Sequence, residues 1–362
     1  MMEKMQHPFY VRFACVLISL VLLYFILTSA SQIFIPLTFA LLFSLLLYPV
    51  VHFMEHKLHL GRAVASMTAV VLLLGTLVAL IYFMAIQFIS FSDDLPMLKS
   101  RIDEIYAGLQ HWLSHSLHIN SKAQTEYLNK STGSLAESAI SSVKSVFLSL
   151  TTIVLWTIFI VLFTFFMLFH RGLLYKFMLH LFGEEHKGKV AEIILETKTM
   201  VNGYIFALLM EMVIVSMVAS VMFLIMGVKY ALLLGMMAGI LNIIPYIGIY
   251  SSIVIALVIT FANSTGNVAV EAAAGLFGVH LLDSNVIMPR LVGGRVKMNP
   301  FVTILAVMVG EFVWGVPGMF LFIPIAGIMK LVCARVDGLE AWSILIGEEE
   351  KPVKVKKVKV KA

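Results

Sequence analysis

Four ionisable residues stand inside long apolar stretches of the chain. Glu211 lies within 203–226, His280 and Asp283 within 267–289, and Glu311 within 299–333. A charged side chain at membrane depth is costly, and where one is found it usually belongs to a polar site or a path through the protein. A carboxylate in such surroundings can take up and release a proton, or bind a small cation. His280 and Asp283 are three residues apart on one helix face, and Asn285 follows closely. Two readings of this pair stay open: a proton or cation relay, or a hydrogen-bonded pair that pins its helix to its neighbours. Glu211 and Glu311 carry the same two readings.

Other polar groups collect where apolar segments are interrupted. Asn242-Ile-Ile-Pro245-Tyr246-Ile-Gly248 breaks the segment 229–262, and Gly315-Val-Pro317-Gly318 breaks 299–333. Proline removes a backbone donor and glycine relaxes the chain, so helices end at such clusters. A broken helix exposes N–H and C=O groups that lipid cannot satisfy, which is tolerated where protein or a wet cavity surrounds it. Half-helix ends then offer backbone ligands to anions or cations. Asn242 and Tyr246 add side-chain hydrogen bonding at the first break, and Gly310 and Gly315 leave room at the second. Gly235 and Gly239 form a pair at GxxxG spacing, read here as a close helix contact.

Three strings look enzymatic and are set aside. His52-Phe-Met-Glu55-His56 matches an inverted zinc-protease pattern, but it ends a membrane helix and no soluble catalytic domain adjoins it. His111, His115 and His118 share a helix face without a carboxylate or cysteine partner. Gly183-Glu-Glu-His-Lys-Gly188-Lys189 nearly matches a phosphate loop, yet it puts two acids where phosphates would sit and lacks the Ser/Thr that holds magnesium. No catalytic residues, no metal site and no cofactor are expected, and the chain is read as a non-enzyme. Cys15 and Cys333 sit singly in apolar runs and suggest neither a disulfide framework nor a metal site.

The elements that must position these residues follow from hydropathy. Hydrophobic side chains make up 60% of the sequence and charged ones 13%. A soluble globular protein is nearer half apolar and a quarter charged, so the excess implies lipid as the surrounding medium and excludes a soluble enzyme or a disordered chain. The net charge of +5 does not signal a nucleic-acid partner. Six lysines (351, 354, 356, 357, 359, 361) lie in the last twelve residues, and the other 20 basic residues nearly balance 21 acidic ones.

Spans of ~20 apolar residues are expected at 9–30, 32–54, 63–91, 146–169, 203–226 and 267–289. The first is read as a span, not a cleaved signal peptide, because its apolar run reaches Ala30 and a second follows at once. Segments 229–262 and 299–333 would each measure ~51 Å as one helix, against a hydrocarbon core of ~30 Å. Two half-helices folded back on each other fit both lengths.

Charge supports this. With Lys4 and Arg12 inside, Lys57, Arg62, Arg171, Lys176, Lys187 and Lys189 also fall inside. Arg290, Arg295 and Lys297 do so only if 229–262 is a hairpin. The expected fold is therefore an all-α polytopic membrane protein with six full spans and two opposed re-entrant helical hairpins. Residues 1–91 hold the first three membrane helices and 92–145 a small helical extracytoplasmic domain. Residues 146–202 hold a fourth helix and a cytoplasmic amphipathic helix. A transport core follows at 203–335, with hairpins 229–262 and 299–333, and then a polybasic cytoplasmic tail at 336–362.

The order of motifs in the last third is more specific. Asn242-Ile-Ile-Pro-Tyr-Ile-Gly248 is followed by Asp283-Ser-Asn285-Val-Ile-Met-Pro289-Arg290-Leu-Val-Gly293. Asn299-Pro300 and Trp314-Gly-Val-Pro-Gly-Met-Phe-Leu-Phe-Ile-Pro324 come next. Together these resemble the autoinducer-2 exporter (AI-2E) family of bacterial membrane transporters, over roughly 10–345 in hydropathy layout. The charge bias puts both termini in the cytoplasm. The resemblance implies a multi-pass protein of the bacterial inner membrane and a homo-oligomer, a pentamer in this family. It also implies movement of a hairpin-containing transport domain. The implied cargo is a small polar metabolite such as autoinducer-2, or a cation in a sodium or proton antiporter; a membrane scaffold without flux is the remaining alternative. The resemblance marks Asn242, Tyr246, Asp283 and Asn285 as pathway contacts, to which His280, Glu211 and Glu311 are added from the residues themselves. Pro245, Gly248, Pro289, Asn299, Pro300, Gly315, Gly318 and Pro324 are expected to set hairpin and loop shape. Many relatives carry Gln where this chain has His280, so the resemblance implies no shared role there.

Overall fold

A computed structural model describes residues 8–92, 154–244, 247–264, 266–291 and 298–348. Within these residues the chain is helical, apart from one isolated antiparallel bridge between Met298 and Gly347. The first two helices, α1 (Phe9–Ser29) and α2 (Ser31–Lys57), are separated by Ala30 alone. Then come α3 (Arg62–Ser92), α4 (Val154–Phe169) and α5 (Arg171–Leu181), the last two meeting at a 74° bend. A long helix, α6 (Lys187–Ile225), follows. The first folded-back pair is α7 (Ala231–Asn242) and α8 (Ile247–Asn263). Next are α9 (Gly266–Leu282), a π turn at Asp283–Ile287 and α10 (Met288–Leu291). The second pair is α11 (Pro300–Trp314) and α12 (Val316–Cys333), before the short α13 (Glu340–Ile346).

Among the described residues, five helices are long and apolar enough to cross a membrane, or six if α4 and α5 form one bent span. Their outer faces are apolar. On α1, Phe13, Val16, Val21 and Phe25 are all more than half exposed, as expected of a surface that faces lipid. This is a polytopic membrane protein.

The segment expected as a separate amphipathic helix near 190–201 is continuous with the span beginning at 203. No proline interrupts this stretch, and α6 runs on for 39 residues, about 58 Å at 1.5 Å per residue. This helix joins two cores. One gathers Val215 and Phe223 of α6 with Leu233, Ala256 and Leu276 from α7, α8 and α9. The other gathers Val201 and Tyr204 of α6 with Leu42 of α2 and Val307, Trp314 and Leu321 from α11 and α12. A third core, built from Val51, Ala65, Ala69 and Leu168, closes α2 onto α3 and α4.

Both broken segments fold back on themselves, and glycine makes this possible. A Cβ on Gly248 would sit 2.0 Å from the Leu241 carbonyl oxygen, so α8 starts hard against the end of α7. In the second pair, a Cβ on Gly318 would sit 1.9 Å from the Gly310 carbonyl oxygen. Gly315 joins these half-helices at φ +63°, ψ −144°, a conformation open essentially to glycine alone. Asn299 starts α11 as its cap, its side-chain oxygen accepting from the Phe301 amide at 3.0 Å, and Pro300 occupies the first helical position. Pro324 lies buried inside α12. Residues 93–145 of the expected outer domain, Pro245, Tyr246 and the lysine-bearing residues 349–362 lie outside the described residues. The first part of the segment expected as a tail, 336–348, instead folds back onto the chain: it holds α13, and the Ile346 carbonyl accepts from the Asn299 amide at 2.9 Å.

Candidate functional site

The site is built on a close crossing of α6 and α7. A Cβ on Gly239 would lie 2.0 Å from Ser216 Oγ and 2.4 Å from the Met212 carbonyl oxygen; one on Gly235 would lie 2.1 Å from Ser220 Oγ. Only at such small positions can two helix backbones approach this far. The GxxxG pair therefore brings α7 against the stretch of α6 that carries Glu211, and Asn242, one turn beyond Gly239, arrives beside it.

Asn242 then joins two carboxylates. Its Nδ2 donates to Glu211 Oε1 at 3.1 Å and to Asp283 Oδ2 at 2.9 Å. Both acids are buried, Glu211 at 5% exposure and Asp283 at 3%. The other oxygens, Glu211 Oε2 and Asp283 Oδ1, are buried and meet no N–H or O–H donor among the described residues, and Nδ1 of His280, one turn before Asp283, is likewise buried without a partner among them. Asp283 opens the π turn, where Ser284 and Asn285 fold back on their own helix: Ser284 Oγ donates to the His280 carbonyl and Asn285 Nδ2 to the Leu281 carbonyl. Such a turn often marks a functional position in a helix.

Electrostatics constrains what this arrangement holds. Both bonded oxygens lie near one nitrogen, so they are at most about 6 Å apart. Two unit charges at that distance repel by roughly 3 kcal/mol at an effective dielectric of 20. Burying each ion costs several kcal/mol more, against about 1.5–3 kcal/mol for a hydrogen bond to a charged group. One neutral amide does not offset two buried anions. A proton or a small cation shared by the carboxylates does, and their free oxygens suit a hard cation.

The structure thus brings together Glu211, Asn242 and Asp283, with His280 adjacent. It does not bring Asn285 or Glu311 into this cluster. Asn285 is exposed and bonded to its own helix, and Glu311 is exposed on α11, where its main-chain carbonyl accepts from Gly315 N at 2.7 Å. Pro289 is also exposed, on the short α10. At the other histidine motif, His52, Glu55 and His56 place possible ligand atoms within 4.8 Å of one another, but Glu55 is ion-paired to Arg171. His111, His115 and His118 lie outside the described residues. A group unnoticed in the sequence is the set of Tyr48, Lys198 and Asn202, which line a cavity between α2 and α6. The available signal was the spacing of Lys198 and Asn202, four apart on one helix face.

The profile of AI-2E family transporters matches residues 13–337. The chain belongs to the AI-2E transporter family. One relative is "Putative transport protein YrrI" of Bacillus subtilis (strain 168), 27% identical over 317 residues, covering 83% of this chain and 86% of that protein. Another is "Putative transport protein YhhT" of Escherichia coli (strain K12), 25% identical over 343 residues, covering 91% and 93%. A third, "Putative permease PerM" of E. coli (strain K12), is 26% identical over 158 residues, 43% of each chain. Family membership makes this a multi-pass membrane transport protein, and such membership points away from an enzyme.

Proposed function

We propose that this AI-2E family protein is a secondary transporter that exchanges protons or sodium ions at Glu211, Asn242 and Asp283. The observation that carries the reading is the single amide shared by two buried carboxylates from separate helices. The site sits at the break between α7 and α8, where the half-helix end adds backbone carbonyls that favour a cation. At 12 residues, α7 is about 18 Å long, so if it enters from one surface its end reaches the middle of a ~30 Å core.

In this reading α7–α8 and α11–α12 are opposed re-entrant hairpins, six spans surround them, and the unit 203–335 moves as the transport core. Both termini and the lysine tail are cytoplasmic, 92–145 is extracytoplasmic, and the protein is a homo-oligomer of the inner membrane, with five copies implied by the resemblance. Tyr246, Asn285 and Glu311 line the path in other conformations or between copies.

The test is sodium-driven pH change in proteoliposomes. Wild-type protein is expected to show it, and Asp283→Asn to lower the rate at least about tenfold, because an amide neither releases a proton nor supplies an anionic ligand. Absence of flux in the wild type overturns the reading. A second reading, favoured by the resemblance, is export of an autoinducer-2-like polar metabolite. It predicts metabolite efflux from loaded vesicles without a sodium gradient. A protein with neither flux would be a scaffold. Topology has its own check, with Cys15 and Cys333 first replaced by Ser. A cysteine at Ser264 should react with an impermeant thiol reagent from outside, and one at Lys297 should not.

A further inference from the structure

We infer that the cavity between the end of α2 and the N-terminal half of α6 is a binding site for the headgroup of an anionic phospholipid. The cavity measures about 480 Å³ and is lined by Tyr48, His52, His56, Lys57, Lys198 and Asn202, among others. That volume lies within the roughly 300–1,000 Å³ of small-molecule sites.

Its construction is specific. Tyr48, His52 and His56 recur every four residues on one face of α2, and their rings form a ladder, with centroids 5.9 Å and then 3.9 Å apart. The Lys198 ammonium lies over the Tyr48 ring, 3.4 Å from its centroid, and the Arg171 guanidinium is 5.3 Å from the same ring. Such cation–π contacts hold a positive group in place while leaving its other donors free. His56 Nδ1 lies 3.1 Å from the His52 carbonyl oxygen, so in that contact Nδ1 carries the proton and Nε2 is the acceptor of the neutral ring. Asn202 Oδ1 is buried without a hydrogen bond among the described residues, an acceptor suited to a hydroxyl of a glycerol headgroup.

Charge chooses between two ligand classes. The His52, Glu55 and His56 donors are close enough for a divalent metal. However, the carboxylate of Glu55 is engaged by Arg171, and two lysine ammoniums share the cavity. The lining is thus net positive, which opposes a cation and attracts a phosphodiester. Position chooses the source. The cavity borders the last three turns of an apolar 27-residue helix, where Phe53, one of its lining residues, is 55% exposed. A phospholipid there keeps its acyl chains on apolar surface while its phosphate meets Lys57 and Lys198; basic pockets between membrane helices take lipid headgroups in this way.

The experiment uses the full chain, delipidated in a neutral detergent and titrated with phosphatidylglycerol, with retained lipid counted by native mass spectrometry. One phosphatidylglycerol per chain should be held at least about tenfold more tightly than phosphatidylcholine of the same acyl chains. Lys57→Gln/Lys198→Gln should remove that preference and Lys198→Arg should keep it. Both lysines are at least partly exposed, so an unchanged thermal transition will show that the double variant is folded. Replacing the six tail lysines with Gln should leave the one tightly held lipid in place. Equal retention of the two lipids overturns the proposal, as does an unaffected double lysine variant. Equal competition by glycerol phosphate would make the ligand a soluble phosphate, and zinc uptake lost in His52→Gln/His56→Gln without lipid preference would make it a metal; either result also overturns it.

Discussion

The two folded-back pairs solve the same backbone problem with opposite chemistry. In α7–α8 the break is polar: Asn242 ends the first half-helix and its amide is shared by Glu211 and Asp283. In α11–α12 the break is made by backbone shape alone. Gly315 turns the chain, Gly310 and Gly318 let the half-helices touch, and Trp314 closes the end by donating from Nε1 to the Leu27 carbonyl at 3.0 Å. The acid nearest that break, Glu311, is exposed and joins no polar cluster among the described residues. The difference teaches that a broken helix is not itself a site. A site needs polar side chains from neighbouring helices to converge on the break, and only the first pair receives them.

Substitutions can break this contrast. The largest effect is expected from Gly318→Val, whose side chain has no room against the Gly310 carbonyl. The second pair should separate, and folded protein should be lost from size-exclusion profiles, since overpacking already costs about 1–3 kcal/mol where the surroundings can yield. Asn242→Ala should cost about 1–3 kcal/mol for each buried acceptor left unsatisfied, because it removes the donor that the two acids share. Its thermal transition should recover partly when combined with Glu211→Gln, a coupling that a double-mutant cycle will measure. Gly315→Ala meets no neighbouring atom, so only backbone strain of about 1–3 kcal/mol is expected, read as a lower midpoint without loss of ion flux. The smallest effect is expected from Asn299→Ala, about 1 kcal/mol for the lost α11 cap. If Gly315→Ala abolished flux while Asn242→Ala preserved it, the functional assignment of the two breaks would be reversed.

Much of the architecture was legible in the chain. Both breaks fall where proline and glycine interrupt apolar segments too long to cross once, and the Gly235/Gly239 pair meets a close neighbour as its spacing suggested. The candidate site was legible only as a list of polar residues. Asp283 and His280 stood out by spacing, but nothing in the sequence paired Asp283 with Glu211, or set Asn285 apart by turning it outward. Reading the end of 146–202 as a separate cytoplasmic amphipathic helix missed that α6 continues into the next span, because an amphipathic pattern does not mark where a helix ends.

Composition and periodicity are local properties, set by each segment's own exchange with lipid or water. They therefore determined by themselves that this chain is helical, membrane-embedded and twice broken. Convergence is not local. Glu211 and Asp283 lie 31 and 41 residues from the amide that joins them. Likewise, the basic cavity needs Tyr48 of α2 to meet Lys198 of α6. Those meetings depend on which helix faces touch, which glycine crossings and turn geometry decide in three dimensions.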